Sequence, residues 1–153
     1  MKLKNSKICS EVKEIYDWLD SNIKNFNPQC TACGKCCDFG TYGHKLFITT
    51  PELLYFKQNI VISSVGPLGA GVEKSVKKNI CPYLENNKCT ARDFRFAGCR
   101  IFFCKADIEQ LNRLSEEAIK KFKTLCEKFD FPYRYADLAT AMNSPELLDL
   151  IEQ

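Results

Sequence analysis

Cys30-Thr31-Ala32-Cys33-Gly34-Lys35-Cys36-Cys37 sets four thiols within eight residues. Its overlapping C-x2-C steps each let two thiolates turn inward onto one centre, which is a strong metal signal. The chain around it has 153 residues and ten cysteines. Cys81, Cys89, Cys99 and Cys104 follow, separated by seven, nine and four residues. Five disulfides are the competing explanation, and compartment decides between the two. Met1 to Lys7 is basic, but Glu11, Lys13, Glu14, Asp17 and Asp20 interrupt the apolar positions beyond it. No secretory h-region forms, so a cytoplasmic location is expected. Thiols there are held reduced, and dense cysteine then points to metal. A chain of this length also buries a core without disulfide staples.

The spacing is less decisive about which metal. A zinc ribbon pairs one C-x2-C knuckle with another, and the later cysteines supply no second knuckle. Iron–sulfur ligation often uses C-x2-C-x2-C with a remote cysteine followed by proline. Cys30, Cys33 and Cys36 fit the triple, and Cys81-Pro82 fits the remote partner. The C-x3-C-x2-C radical-enzyme spacing fails because Gly40 stands where its last cysteine would be. Cys36 and Cys37 are adjacent, so their side chains diverge, which suggests two sites or a ligand beside an outer thiol. His44 is the one histidine, which disfavours Cys2His2 zinc and most histidine-ligated iron. Arg95 and Arg100 flank Cys99. Their N–H donors could offset the charge of about −2 on a four-thiolate centre. The formal charge of +3 counts every cysteine as neutral, so a metal centre would lower it by about two.

Helices are expected on both sides of this region. Ile8, Val12, Ile15, Leu19 and Ile23 form one apolar stripe with Asn5 or Ser6 as its cap, and Asn27-Pro28 ends it. His44 to Thr49 suits a short strand, and Thr50-Pro51 suits a helix start running to about Gln58. Ile60-Val61-Ile62 suits another strand. Gly66, Gly69 and Gly71 mark a plain loop, with no phosphate-binding pattern. Val76 to Leu84 and Lys88 to Ala91 read as hairpin arms around Asn86-Asn87. From Ala106, Ile108, Leu111, Leu114, Ile119, Phe122, Leu125 and Phe129 form a second helical stripe, with Glu116–Lys120 and Glu117–Lys121 as wet-face pairs. Phe131-Pro132 breaks it, and Ser144-Pro145 starts a last short helix. Cys126 and Cys9 lie in these helices and are assigned to packing. The expected fold is small α+β in a single domain, 1–153. Its irregular, metal-centred cysteine core, about 27–105, carries short strands and a hairpin. Flanking helices over about 6–26 and 106–153 pack against it.

Cys30-x2-Cys33-x2-Cys36-Cys37, then Cys81-Pro82-Tyr83-Leu84, Cys89 and Cys99-Arg100-Ile101-Phe102, resembles the YkgJ-type cysteine-cluster family. Members are described as zinc- or iron-chelating, often as iron–sulfur proteins, and a similar module occurs in flagellin lysine methylases. The resemblance covers about 27–105. It implies a metal shell at Cys30, Cys33, Cys36, Cys37, Cys81, Cys89 and Cys99, with the family's arginine pair at Arg95 and Arg100. Arg92 stands where the family has tyrosine and Phe96 where it has proline. Cys104 is outside the family's shell and is the eighth candidate ligand.

The resulting expectation is an iron–sulfur protein, most simply [4Fe–4S], with a redox or cofactor-bearing accessory role and a protein partner. A structural zinc module for partner binding is the first alternative. A thiol oxidoreductase or a component of a protein-modifying enzyme is the second, though no complete acid–base constellation is visible. Short apolar runs exclude a transmembrane helix. Lys74, Lys77, Lys78 and Lys88 lack interleaved aromatics, which disfavours nucleic acid.

Overall fold

The Ile8–Ile23 stripe does what its spacing dictates. In the computed structural model, α1 spans Lys2–Lys24 and buries Ile8, Val12, Ile15, Tyr16, Leu19 and Ile23. The structure describes residues 2–26, 37–38, 45–63, 80–102 and 107–152. The helix starts ahead of Asn5 and Ser6, so neither is its cap.

β1, Phe47–Thr49, leads directly into α2, Thr50–Ser63. The helix start lies one residue earlier than the Thr50-Pro51 reading placed it. Thr49 precedes the first helical residue, and Glu52 reaches back to accept from the Thr49 N–H at 2.9 Å. This is half of a Thr-x-x-Glu capping box. Thr50 Oγ1 instead donates to the Pro132 carbonyl at 2.6 Å and accepts from the Arg134 N–H. The helix also continues through Ile60, so the expected strand at 60–62 is corrected. Leu53, Phe56 and Ile60 are buried at helical spacing, and this packing overrides the β-branched preference of the run.

The hairpin turn is where the asparagines put it, with Asn86 and Asn87 at φ of 50° and 61°. Asparagine tolerates this left-handed geometry better than most residues. Among the described residues the arms are β2, Leu84–Glu85, and β3, Lys88–Cys89, while positions 76–79 of the expected first arm lie outside them. A 3-10 turn, Arg92–Phe94, leads to the short helix α3, Ala97–Ile101.

α4 spans Ile108–Lys128, with the Asp107 carboxylate accepting from the Glu109 and Gln110 N–H groups as its cap. Leu114, Ala118, Phe122, Leu125 and Cys126 are its buried residues, while Ile108 is exposed rather than on the stripe. Lys121 lies over the Trp18 ring, 4.6 Å from its centroid, rather than in the expected pair with Glu117. The C-terminus closes before Phe131-Pro132. Asp130 is left-handed at φ 46°, and the Phe131 N–H donates to the Cys126 carbonyl, a Schellman closure. β4, Tyr135–Asp137, and α5, Leu138–Asn143, then precede α6, Pro145–Glu152. β4 pairs antiparallel with β1, Ile48 opposite Ala136.

The result is a small α+β fold. α1 packs on α2, α3 and α4, and α2 also packs on α6. Tyr16 sits at the centre, edge-on to Tyr55 at 5.4 Å and to Phe122 at 6.1 Å. Among the described residues no helix is long and apolar enough to cross a membrane.

Glu52 is 2% exposed yet a carboxylate. Its Oε2 accepts from the Thr49 N–H and Oγ1, and its Oε1 from the Tyr16 hydroxyl and the Ala97 N–H, the last at 2.7 Å. Burial pushes its pKa above the ordinary value, and these donors only partly reverse that. An acid whose folded pKa is raised contributes stability that is fully present below its unfolded pKa and lost as pH rises through its folded pKa. Glu52→Gln keeps one carbonyl oxygen but turns an NH2 toward a backbone N–H. It should cost about 1–3 kcal/mol at neutral pH. In urea unfolding, the gap between wild type and variant should widen from pH 7 to pH 5. A gap that narrows on acidification would contradict this assignment.

Candidate metal centre

Cys37 and Cys81 are 44 residues apart in sequence, and the backbone brings them together. Asp38 and Ile80 form an antiparallel bridge, and the Cys81 N–H donates to the Cys37 carbonyl at 2.7 Å. This register sets Cys37 opposite Cys81. Directly opposed antiparallel residues have Cα atoms about 5.5 Å apart in a hydrogen-bonded pair. Cys37 is buried and Cys81 half-buried. The Cys81 carbonyl accepts from the Leu84 N–H, so the chain turns at once into the hairpin.

Cys89 is opposite Leu84 in that hairpin. The Tyr83 carbonyl accepts from both the N–H and the hydroxyl of Thr90, which ties the Cys89 strand back beside the residue two after Cys81. Tyr83 is buried against Phe56 at 4.9 Å between ring centroids. Burial, then the neighbouring Cys81 charge, pushes its phenol up to about 12.

Cys99 is the third residue of α3. That helix begins where Ala97 donates to Glu52. Gly98 lets it approach β1 closely: a Cβ there would lie 2.5 Å from Leu46 Cδ1. Burial, the largest cause, lifts the Tyr16 phenol's pKa well above its ordinary value, and Cys99 lies near enough that a thiolate there would raise it further.

The arginines differ. Arg100 is buried, with its guanidinium 4.2 Å from the Tyr16 ring centroid. It donates to Asp20 Oδ2 at 2.7 Å and to the carbonyls of Arg95 and Asp93. Arg95 is half-buried, and its Nε donates to the Arg92 carbonyl.

Of the eight candidate ligands, Cys37, Cys81, Cys89 and Cys99 are described. Cys30, Cys33, Cys36 and Cys104 lie outside the described residues, as do His44 and the 66–71 loop. Within the described set, Cys37 and Cys81 are brought opposite each other. No group of three or more His, Cys, Asp or Glu residues is placed to hold a metal ion among the described residues, and no disulfide joins two described cysteines. Cys9 and Cys126 behave as packing thiols. Cys126 is buried, Cys9 donates to Gln58 Oε1, and burial pushes both pKa values to about 11. High pKa and burial make a thiol inert.

Sequence reasoning missed Glu52, Tyr16 and Asp20, which position α3 and its two site residues. The Thr49-x-x-Glu52 spacing was a readable signal for the first. Nothing in the sequence signalled that Tyr16 and Asp20 would meet Arg100. Protein-family models, curated proteins and solved structures contain no match to this chain.

Gly98→Ala should destabilise the fold by about 1 kcal/mol, because the atom it overpacks is the tip of the half-buried Leu46 side chain. In a Leu46→Ala background the same substitution should cost at least about 0.5 kcal/mol less. Chemical denaturation of the four proteins measures that coupling, and strict additivity would mean that α3 does not rest on Leu46.

Proposed function

We propose that this chain is a cysteine-ligated metalloprotein of the YkgJ type. Its metal is an iron–sulfur cluster, most simply [4Fe–4S], held by the 30–104 cysteines. The observation that carries the reading is the Asp38–Ile80 bridge, which sets Cys37 opposite Cys81. Cys37 closes the C-x2-C-x2-C-C run, and Cys81 precedes the proline that marks a remote cluster ligand. A scaffold that joins Cys37 to Cys81 supports a reading in which the thiols of both segments share one neighbourhood. Cys30, Cys33 and Cys36 would complete the shell with Cys81. Cys37 would then be an added ligand or an outer thiol, and Cys89, Cys99 and Cys104 would serve a second site or the surround. Arg95 and Arg100 would moderate the negative charge of the thiolates.

Such a cluster supplies one-electron chemistry when bound. That chemistry suits a redox or cofactor-bearing accessory role, which we place in the cytoplasm beside a protein partner. The described residues offer no nucleophile–base–orienter set of their own, so the accessory role is preferred to catalysis by this chain alone.

Anaerobic purification followed by iron, sulfide and zinc analysis tests the reading. Iron and acid-labile sulfide should be present in near-stoichiometric amounts, with a broad visible absorption bleached by dithionite. Cys81→Ser should lose most of both, whereas Cys126→Ala and Cys9→Ala should retain them. A colourless protein holding one equivalent of zinc, and taking up no iron on anaerobic reconstitution, would replace this reading with the structural zinc module.

A further inference from the structure

A cleft of about 290 Å3 opens between α1 and the 92–100 segment. Four cationic and three anionic side chains line it. Two opposite pairs neutralise within it: Lys13 with Asp17 at 2.6 Å, and Arg100 with Asp20 at 2.7 Å. What remains is the guanidinium of Arg92 and that of Arg95, facing the single carboxylate of Asp93.

These two guanidinium groups have donors to give. Arg95 commits only its Nε, to the Arg92 carbonyl at 3.1 Å, and its terminal nitrogens make no hydrogen bond or ion pair among the described residues. The same holds for the whole Arg92 guanidinium and for the Tyr55 hydroxyl. Tyr55 is itself a buried ring, 8% exposed, reaching the cleft from α2.

The cleft is also a built one. Arg100, buried behind it, donates to the carbonyls of Arg95 at 2.7 Å and Asp93 at 3.1 Å. Phe94 closes the 3-10 turn by donating to the Ala91 carbonyl. The backbone that presents Arg92 and Arg95 is thus clamped from behind before any ligand arrives. Binding then loses little further backbone entropy.

We propose that this cleft binds a small oxyanion, a carboxylate or a phosphate monoester, through Arg92, Arg95 and the Tyr55 hydroxyl. Planar guanidinium donors match both anions in bidentate fashion. The aspartates limit the ligand's charge. A polyanion such as a nucleic-acid backbone would meet Asp17 and Asp20 on the α1 wall and Asp93 beside the arginines, whereas a single anionic group meets fewer of these carboxylates. The proposal shares one residue with the metal reading, Arg95, whereas Arg92 and the Tyr55 hydroxyl belong to the cleft alone.

Isothermal titration calorimetry of the purified full chain with inorganic phosphate and with acetate tests it, each against chloride at equal ionic strength. At least one should bind saturably, and the responding anion identifies the ligand class. Arg92→Gln/Arg95→Gln should weaken binding at least about tenfold. Lys120→Gln/Lys121→Gln, on the opposite flank of α1, should leave it unchanged. Unfolding midpoints in chloride report whether the variants are folded. If the double-arginine variant is not, Tyr55→Phe decides, with binding weakened several-fold. No saturable binding of either anion, or binding indifferent to these substitutions, would overturn the proposal. Metal content plays no part in the readout, so the two readings fail separately.

Discussion

One buried carboxylate holds three elements in register. Glu52 accepts from α1 through Tyr16, from the β1–α2 junction through Thr49, and from the first residue of α3 through Ala97. A charge with 2% exposure is sustained only when its hydrogen-bonding capacity is filled. Here both oxygens are, each by one backbone N–H and one hydroxyl. The two N–H donors are fixed by the chain and cannot reverse to accept. Their positions are therefore constrained together, and the start of α3 cannot drift from the start of α2 without stranding one of them.

The site residues depend on that constraint. α3 has only five residues, too few to persist as an isolated helix. It is held by Glu52 at its beginning, by the close approach of Gly98 to Leu46, and by Arg100 against Tyr16 and Asp20. Cys99 and Arg100 are thus placed by tertiary contacts, not by helical propensity. Cys81 and Cys89 are placed differently, by the Asp38–Ile80 bridge and a hairpin whose two asparagines accept left-handed geometry.

Legibility in the sequence follows how local each cause is. The stripes of α1 and α4 were readable because burial repeats every three or four residues within one segment. The Asn86-Asn87 turn was readable because its cause lies in two side chains. The 60–62 strand was misread because β-branched residues favour strands only when packing does not decide otherwise, and here Ile60 continues the buried face of Leu53 and Phe56. β4 was not readable at all. Tyr135-Ala136-Asp137 has too few residues to show a period, and it is a strand only because β1 offers a partner. The cysteine spacing announced metal chemistry, whereas the pairing of Cys37 with Cys81 needed a bridge between segments far apart in sequence. The oxyanion cleft was illegible for the same reason: its walls come from α1, α2 and the 92–100 segment.

Tyr16 links the two charged groups that the core contains. Its hydroxyl donates to Glu52, and its ring lies under the Arg100 guanidinium. One negative and one positive charge are therefore buried against a single tyrosine, the first at its hydroxyl and the second over its ring. Removing one partner of such a balance leaves the other uncompensated in low dielectric, which is more destabilising than the net worth of the interaction. The Asp20 carboxylate, 42% exposed, anchors the far end where water can share the load. A thiolate formed at Cys99 would add negative charge to this neighbourhood and raise the Tyr16 phenol further. The buried guanidinium one residue further along the chain would then offset that charge as well as Glu52's. The same side chain would thus serve the core, the thiol site and the floor of the cleft, which explains why an arginine occupies an otherwise apolar helix face.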